Sequence, residues 1–324
     1  MRVLRIVPVA ALLVASFATI SATAGAKGTV GANNRHWHHQ HWGSGHHGKA
    51  TCTGTTTAPG VLSGTYDSNV VVNGFCIVNA GPAVVNGNLV ISDGSAVVAA
   101  FGQGNSSLSV NKNVFIASGA TLILGCEPIF FTCLDDPGAS TGPGTLTSAG
   151  TIKGHLIGVH ALGIIVHAST IGGNAIVAGG GGGQSCATPV ASPSNSQSLQ
   201  LWATIASSAP YVDFEDTSIG GNELVFNLAT CWSGTARVTA GKNVAMINDQ
   251  LADPDGIEIL ANTISGNLLC FHNSYVWDSS EANFGQTDLF PRTAHPNTVG
   301  KHRLGQCVLS SPTTQGGPLG PGPF

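Results

Sequence analysis

The stretch VVNGNLVISDGSAVVAAFG, residues 84–102, decides how this chain folds. Its apolar residues come in short runs broken by Asn-Gly and Ser-Asp-Gly. Runs this short, bounded by residues that accept turn geometry, read as strand, turn, strand, turn. The unit at its centre, GNLVI (87–91), recurs as SNVVV (68–72), KNVFI (112–116), GNAIV (173–177), GNELV (221–225), KNVAM (242–246) and GNLLC (266–270). GHLIG (154–158) is a degenerate copy. The anchors are therefore 69, 88, 113, 155, 174, 222, 243 and 267, with gaps of 19, 25, 42, 19, 48, 21 and 24 residues. The two long gaps are close to twice the short ones, and each holds an insertion, near 126–144 and 179–198.

A period of 19–25 residues fits one coil of a β-solenoid. No single coil buries its apolar side alone, so coils must stack. The expected fold is all-β, a parallel β-helix with Val, Ile, Leu and Ala inward and Gly or Asn at positive-φ corners. Stacked anchor asparagines are expected to form a side-chain amide ladder. A β-sandwich with Gly-rich turns is the alternative, but recurrence of one unit in register favours the solenoid. SLQLWATIAS (198–207) fits either a short helix or a strand.

The chain opens with Arg2 and Arg5, an apolar stretch over residues 6–20, and Ala22-Thr23-Ala24. That is the pattern of a secretory signal peptide, cleaved near residue 24. Residues 25–50 follow as a His/Trp-rich segment without periodicity, and 310–324 form a Pro/Gly-rich tail, leaving 51–309 for the solenoid. No later run is long and apolar enough for a membrane span. The expected location is extracellular or in the cell envelope, where an even set of eight cysteines reads as disulfides. Sequence proximity suggests Cys52–Cys76, Cys126–Cys133, Cys186–Cys231 and Cys270–Cys307 as staples.

Only 9% of residues are charged, against roughly 25% in ordinary globular proteins. After loss of Arg2 and Arg5, ten basic residues face sixteen acidic ones. Nothing supplies the basic face that phosphate backbones require, which argues against nucleic-acid binding.

The ending NTISGNLLC (262–270) and NTVGKHRLGQC (297–307) resembles that of a group of secreted actinobacterial repeat proteins. Those carry TVxGN units and close on NTVxGNLxC…NTVxGKxxGQC. The resemblance implies a secreted β-solenoid and no particular activity. Cys270 and Cys307 are placed to clip the tail across the last coil and shield an open sheet edge.

Candidate chemistries are few. Parallel β-helices often carry polysaccharide-degrading sites, and glycoside hydrolysis needs two carboxylates about 5–9.5 Å apart. Asp135-Asp136, Asp213/Glu215/Asp216 and Asp253/Asp255 are available, with Arg237 and Lys242 the bases nearest acidic groups. The polygalacturonase-like motif series is absent, and DDPG and DPDG read as turns. Asp249, Asp253 and Asp255 offer hard oxygens for calcium at a spacing that matches no known loop signature. No GxSxG elbow is present, and no catalytic residue set stands out. His155, His160 and His167 are read as corner or edge residues. The tract NNRHWHHQHWGSGHHGKA (33–50) holds His36, His38, His39, His41, His46 and His47. Such imidazoles bind Cu, Ni or Zn weakly without a preformed fold, and no cofactor is required. The expected function is a non-catalytic structural or adhesive protein, with cell-wall or extracellular polysaccharide as its partner. The alternatives are a carbohydrate-active β-helix enzyme and a metal-binding protein acting through the His tract.

Overall fold

The computed structural model describes residues 50–78, 81–99, 106–126, 145–184, 211–252, 256–279 and 296–308. Among them just over half of the residues lie in strands, joined by tight turns, with a short 3-10 turn at Gln306–Val308 and no α-helix. Every pairing between strands of the three main faces is parallel, which makes the fold the expected β-solenoid.

Each coil contributes one strand to each of three faces. The first face begins at the anchor: Leu89–Ile91, Val114–Ile116, Leu156–Val159, Ala175–Ala178, Glu223–Phe226, Val244–Ile247, Leu268–Phe271 and Arg303–Gly305. The second face holds Ala96–Ala99, Thr121–Leu124, Gly163–His167, Tyr211–Glu215, Trp232–Ala236, Ile257–Leu260 and Val276–Ser279. Val70–Ile77 runs through the corner between them and so joins both into one 18-stranded sheet. The third face is a separate nine-stranded sheet of short strands, from Gly64–Tyr66 to Thr298–Val299. A coil order of third, first, second face explains the sequence unit. The short run before each anchor, Thr-Ile or Ser-Ile ahead of residues 155, 174, 222 and 267, is the third-face strand, and the anchor itself is the corner.

The anchors form the expected ladder. The Asn69 side-chain oxygen accepts from the backbone N–H of Asn88 at 2.8 Å, Asn88 accepts from Asn113 at 3.0 Å, and Asn113 from His155 at 2.8 Å. His155 continues it with an imidazole: its Nδ1 accepts from the N–H of Asn174 at 2.9 Å, so its ring proton sits on Nε2. The ladder then runs through Asn174, Asn222, Asn243 and Asn267 to the N–H of His302. The residue before an anchor lies against the previous rung. A Cβ on Gly87 or Gly221 would collide with the side-chain oxygen of Asn69 or Asn174. Lys stands in the same place at 112, 242 and 301, so Gly is favoured there and not obligatory.

The other corners are built from left-handed residues in equivalent places. His160, Asn227, Asn248 and His272 end first-face strands, and Ala168, Asp216, Arg237 and Ala261 end second-face strands, all with φ between 44° and 59°. Asn suits this conformation; Ala and Arg accept it at a cost of about 1 kcal/mol each.

Inside the coil, alternate residues of each strand form one continuous core that includes Val70, Leu89, Ile116, Leu122, Ile164, Phe214, Ile257 and Leu268. On the second face the outward residues Val98, Ile123 and Ile165 are buried as well. Burial on both sides explains why AVVA, TLIL and GIIV read as unbroken apolar runs.

Disulfides Cys52–Cys76 and Cys270–Cys307 are present, at the first and last coils. Cys126 and Cys231 are also disulfide-bonded. Their expected partners Cys133 and Cys186, like the segment 198–207, lie outside the described residues.

Candidate functional site

Two surfaces carry chemistry, one on the outside of each large face. On the first face, register places Val71, Val90, Phe115, Ile157, Ile176, Leu224, Ala245, Leu269 and Leu304 side by side in one column. These are the second residues after each anchor and so point away from the core, because side chains alternate along a strand. A second outward column, Val159, Ala178, Phe226, Ile247 and Phe271, runs beside it. The first column is half-buried from Val90 to Leu224 and buried at Val71, Ala245 and Leu269, while Val159 and Leu304 are exposed. An outward sheet face of a solvated protein normally alternates to polar residues. This one does not.

On the second face the outward row changes from apolar to charged after Ile165. Ile165 pairs with Asp213, Asp213 with Gly234, Gly234 with Glu258 and Glu258 with Trp277. Two residues along, on the same side of the sheet, His167 pairs with Glu215. The Trp232 ring lies across Gly234, where a Cβ would strike Cζ2 and Cη2. His167 Nε2 and Asp213 Oδ2 are 2.7 Å apart. Arg237 donates from Nη2 to Glu215 Oε2 at 2.7 Å and from Nε to both oxygens of Asp216 at 3.0 Å. Asp213 and Glu215 are 1% and 2% exposed. Burial, reinforced by the charge of Asp213 and opposed by Arg237, pushes the Glu215 carboxyl up to about 7.

The residues singled out in the sequence divide accordingly. Asp213, Glu215 and Asp216 come together with Arg237, and Glu258 joins them on the same face. Lys242 sits exposed beside the ladder. His155 belongs to the ladder and His160 to a corner, as expected of corner residues. His167 departs from that reading: it ends a strand, wholly buried, against Asp213. Asp249 is a buried corner group whose Oδ1 accepts from the N–H of Leu228 at 2.9 Å; burial raises its carboxyl to about 7. Its suggested calcium partners Asp253 and Asp255 lie outside the described residues. So do Asp135, Asp136, and the whole tract His36, His38, His39, His41, His46 and His47.

Sequence reasoning missed the grouping of His167 with Glu215, although a signal for it exists. Each stands seven residues before an anchor, His167 before Asn174 and Glu215 before Asn222. Counting back from the anchors, in place of along the chain, puts them in register across the intervening insertion.

Among the described residues no helix is long and apolar enough to cross a membrane. No family model, curated protein or solved structure matches the chain.

Proposed function

We propose that the protein is an exported, non-catalytic structural solenoid that adheres through its first face to uncharged, insoluble polysaccharide of a cell envelope or extracellular matrix. The observation that carries this reading is the outward column from Val71 to Leu304, apolar at all nine rungs. Its half-buried stretch from Val90 to Leu224, with exposed Val159 and Leu304, leaves apolar area open to a partner, and extended apolar surface on a folded protein marks a contact site. A flat, repeating one suits a flat, repeating partner such as the C–H faces of sugar rings. The low charge content supports the choice, since few ionic groups are at hand to hold a charged polymer.

The test is a pull-down of the full chain on insoluble cell-wall glycan at pH 5 and pH 7.5, at low and high salt. Retention should be insensitive to salt, and Ile157→Lys with Leu224→Lys should reduce it at least tenfold. Both side chains point outward, so thermal unfolding should barely change. Equal retention of the double variant would defeat the reading.

The carbohydrate-active alternative would place its carboxylates at Asp213, Glu215 and Glu258, which share one face. Their burial and the clasp of Arg237 on Glu215 weigh against a substrate reaching them. The expected outcome is no release of reducing ends from the same glycans. Metal capture by the His36–His47 tract remains a separate proposal for that segment.

A further inference from the structure

We propose that His167, Asp213 and Glu215 form a buried site for a divalent transition metal that clips together the two coils flanking the insertion near 179–198. One ligand atom from each residue lies within 4.8 Å of the others. The backbone enforces the grouping. His167 and Glu215 are direct partners on adjacent parallel strands, and Asp213 stands two residues before Glu215 on the same side. Bonds of about 2.0–2.2 Å to a central ion bring donors to roughly 3–3.5 Å from one another. The His167–Asp213 contact, at 2.7 Å, need only open slightly, and Glu215 already lies within 4.8 Å of both.

The donor set selects the class of ion. One imidazole nitrogen and two carboxylate oxygens suit Zn²⁺, Mn²⁺, Fe²⁺ or Co²⁺. Calcium asks for six to eight oxygens and soft copper for sulfur. The site offers a cation two buried carboxyl groups and one buried imidazole within reach of a single point. Arg237 supports the arrangement from outside. It donates to Glu215 and Asp216 together, which fixes the orientation of the Glu215 carboxylate while leaving lone pairs for an ion. His167 and Asp213 are 46 residues apart in sequence. An ion bridging them would close that long loop, as a disulfide does at either end of the solenoid.

The His tract also takes up metal in the reading above, so the experiment must separate the two. The full chain is prepared alongside a version with His36, His38, His39, His41, His46 and His47 all changed to Ser. Both are stripped with chelator, loaded with Zn²⁺, dialysed and assayed for bound metal, and Co²⁺ loading is followed by its d–d absorption. The tract variant should retain one ion per chain, show a Co²⁺ band and unfold at higher temperature with Zn²⁺ than without. Adding Asp213→Asn or Glu215→Gln to that variant should remove the ion, the band and the thermal shift. A tract variant that holds no Zn²⁺ and shows no Co²⁺ band overturns the proposal, even if the further substitutions fail to fold. So does an ion retained undiminished by the folded Asp213→Asn and Glu215→Gln variants.

Discussion

Glu223 occupies a place that belongs to aliphatic residues. The first position after each anchor points into the core, and the column reads Val70, Leu89, Val114, Leu156, Ala175, Glu223, Val244 and Leu268. Ala175 below it is the smallest member of the column and leaves room for the longer side chain. Glu223 Oε2 accepts from Thr235 Oγ1 at 3.1 Å, and Oε1 has no hydrogen-bond partner among the described residues. Complete burial pushes its carboxyl up to about 8 from an ordinary 4.5. The folded chain therefore holds this proton over a pH range in which the unfolded chain has released it. Its contribution to stability is whole below about pH 4.5 and is lost as pH rises toward 8. The melting temperature should fall between pH 5 and pH 8.5, and Glu223→Gln should remove much of that slope. Asp249 and Glu215, each raised to about 7, contribute to the rest. Glu223→Leu should stabilise the protein at pH 8.5 by about 2 kcal/mol. A melting temperature independent of pH in the native chain would contradict this account. GNELV already carried the anomaly as a sequence, a charged letter where the other copies have Val, Leu or Ala. Its inward direction became legible only once the anchor was known to be a corner.

At the scale of the element, the ladder decides how a coil is held to the next. Each anchor Asn accepts from the backbone N–H of the following anchor, and several also accept from its side-chain N–H₂, as Asn222 does from Asn243 at 2.9 Å. Removing the acceptor strands a donor in a half-buried corner, at a cost of about 1–3 kcal/mol. Asn222→Ala should therefore destabilise by that amount in chemical denaturation. His155→Asn should be neutral or stabilising, since it restores the amide used at the neighbouring rungs, whereas His155→Ala should resemble Asn222→Ala. Equal stability of Asn222→Ala and the native chain would show that the ladder is decorative. The strands, their period and the ladder were all legible because the anchor imposes its register locally, within five residues. Of the second-face cluster, Asp213, Glu215, Asp216 and Arg237 were legible as neighbours in sequence, but His167 was not, because it lies across an insertion whose length hides the register. Glu258 was missed for a related reason. The strand Ile257–Leu260 reads as ordinary apolar alternation, IEIL, and its Glu looks like a solvated outward residue until the outer side of that face proves to be buried.

At the scale of the whole molecule, a solenoid has two open ends, each a template for another strand. This chain ties both. Cys52–Cys76 joins first-face and second-face strands of the opening coils, and Cys270–Cys307 pins the terminal 3-10 turn to the last complete first-face strand. The second closes a span of 37 residues, and loss of such a link costs about 3–4 kcal/mol in the chain-entropy account. Because each coil touches only its neighbours, that loss should stay local. Cys270→Ser with Cys307→Ser should leave amide-exchange protection intact around Val114 and Leu156 while removing it from Leu268 onward, with end-to-end oligomers in size-exclusion chromatography. Uniform loss of protection along the chain would instead show that the solenoid unfolds as one block.

The outward column of the first face repeats at every rung, roughly every 4.8 Å. Translation by one rung lays the half-buried stretch from Val90 to Leu224 almost onto itself, so that stretch has no privileged register. A polymer resting along it can shift by a rung and lose only the contact at one end. Such a surface behaves as a rail rather than a lock: its hold grows with the number of rungs engaged and tolerates sliding.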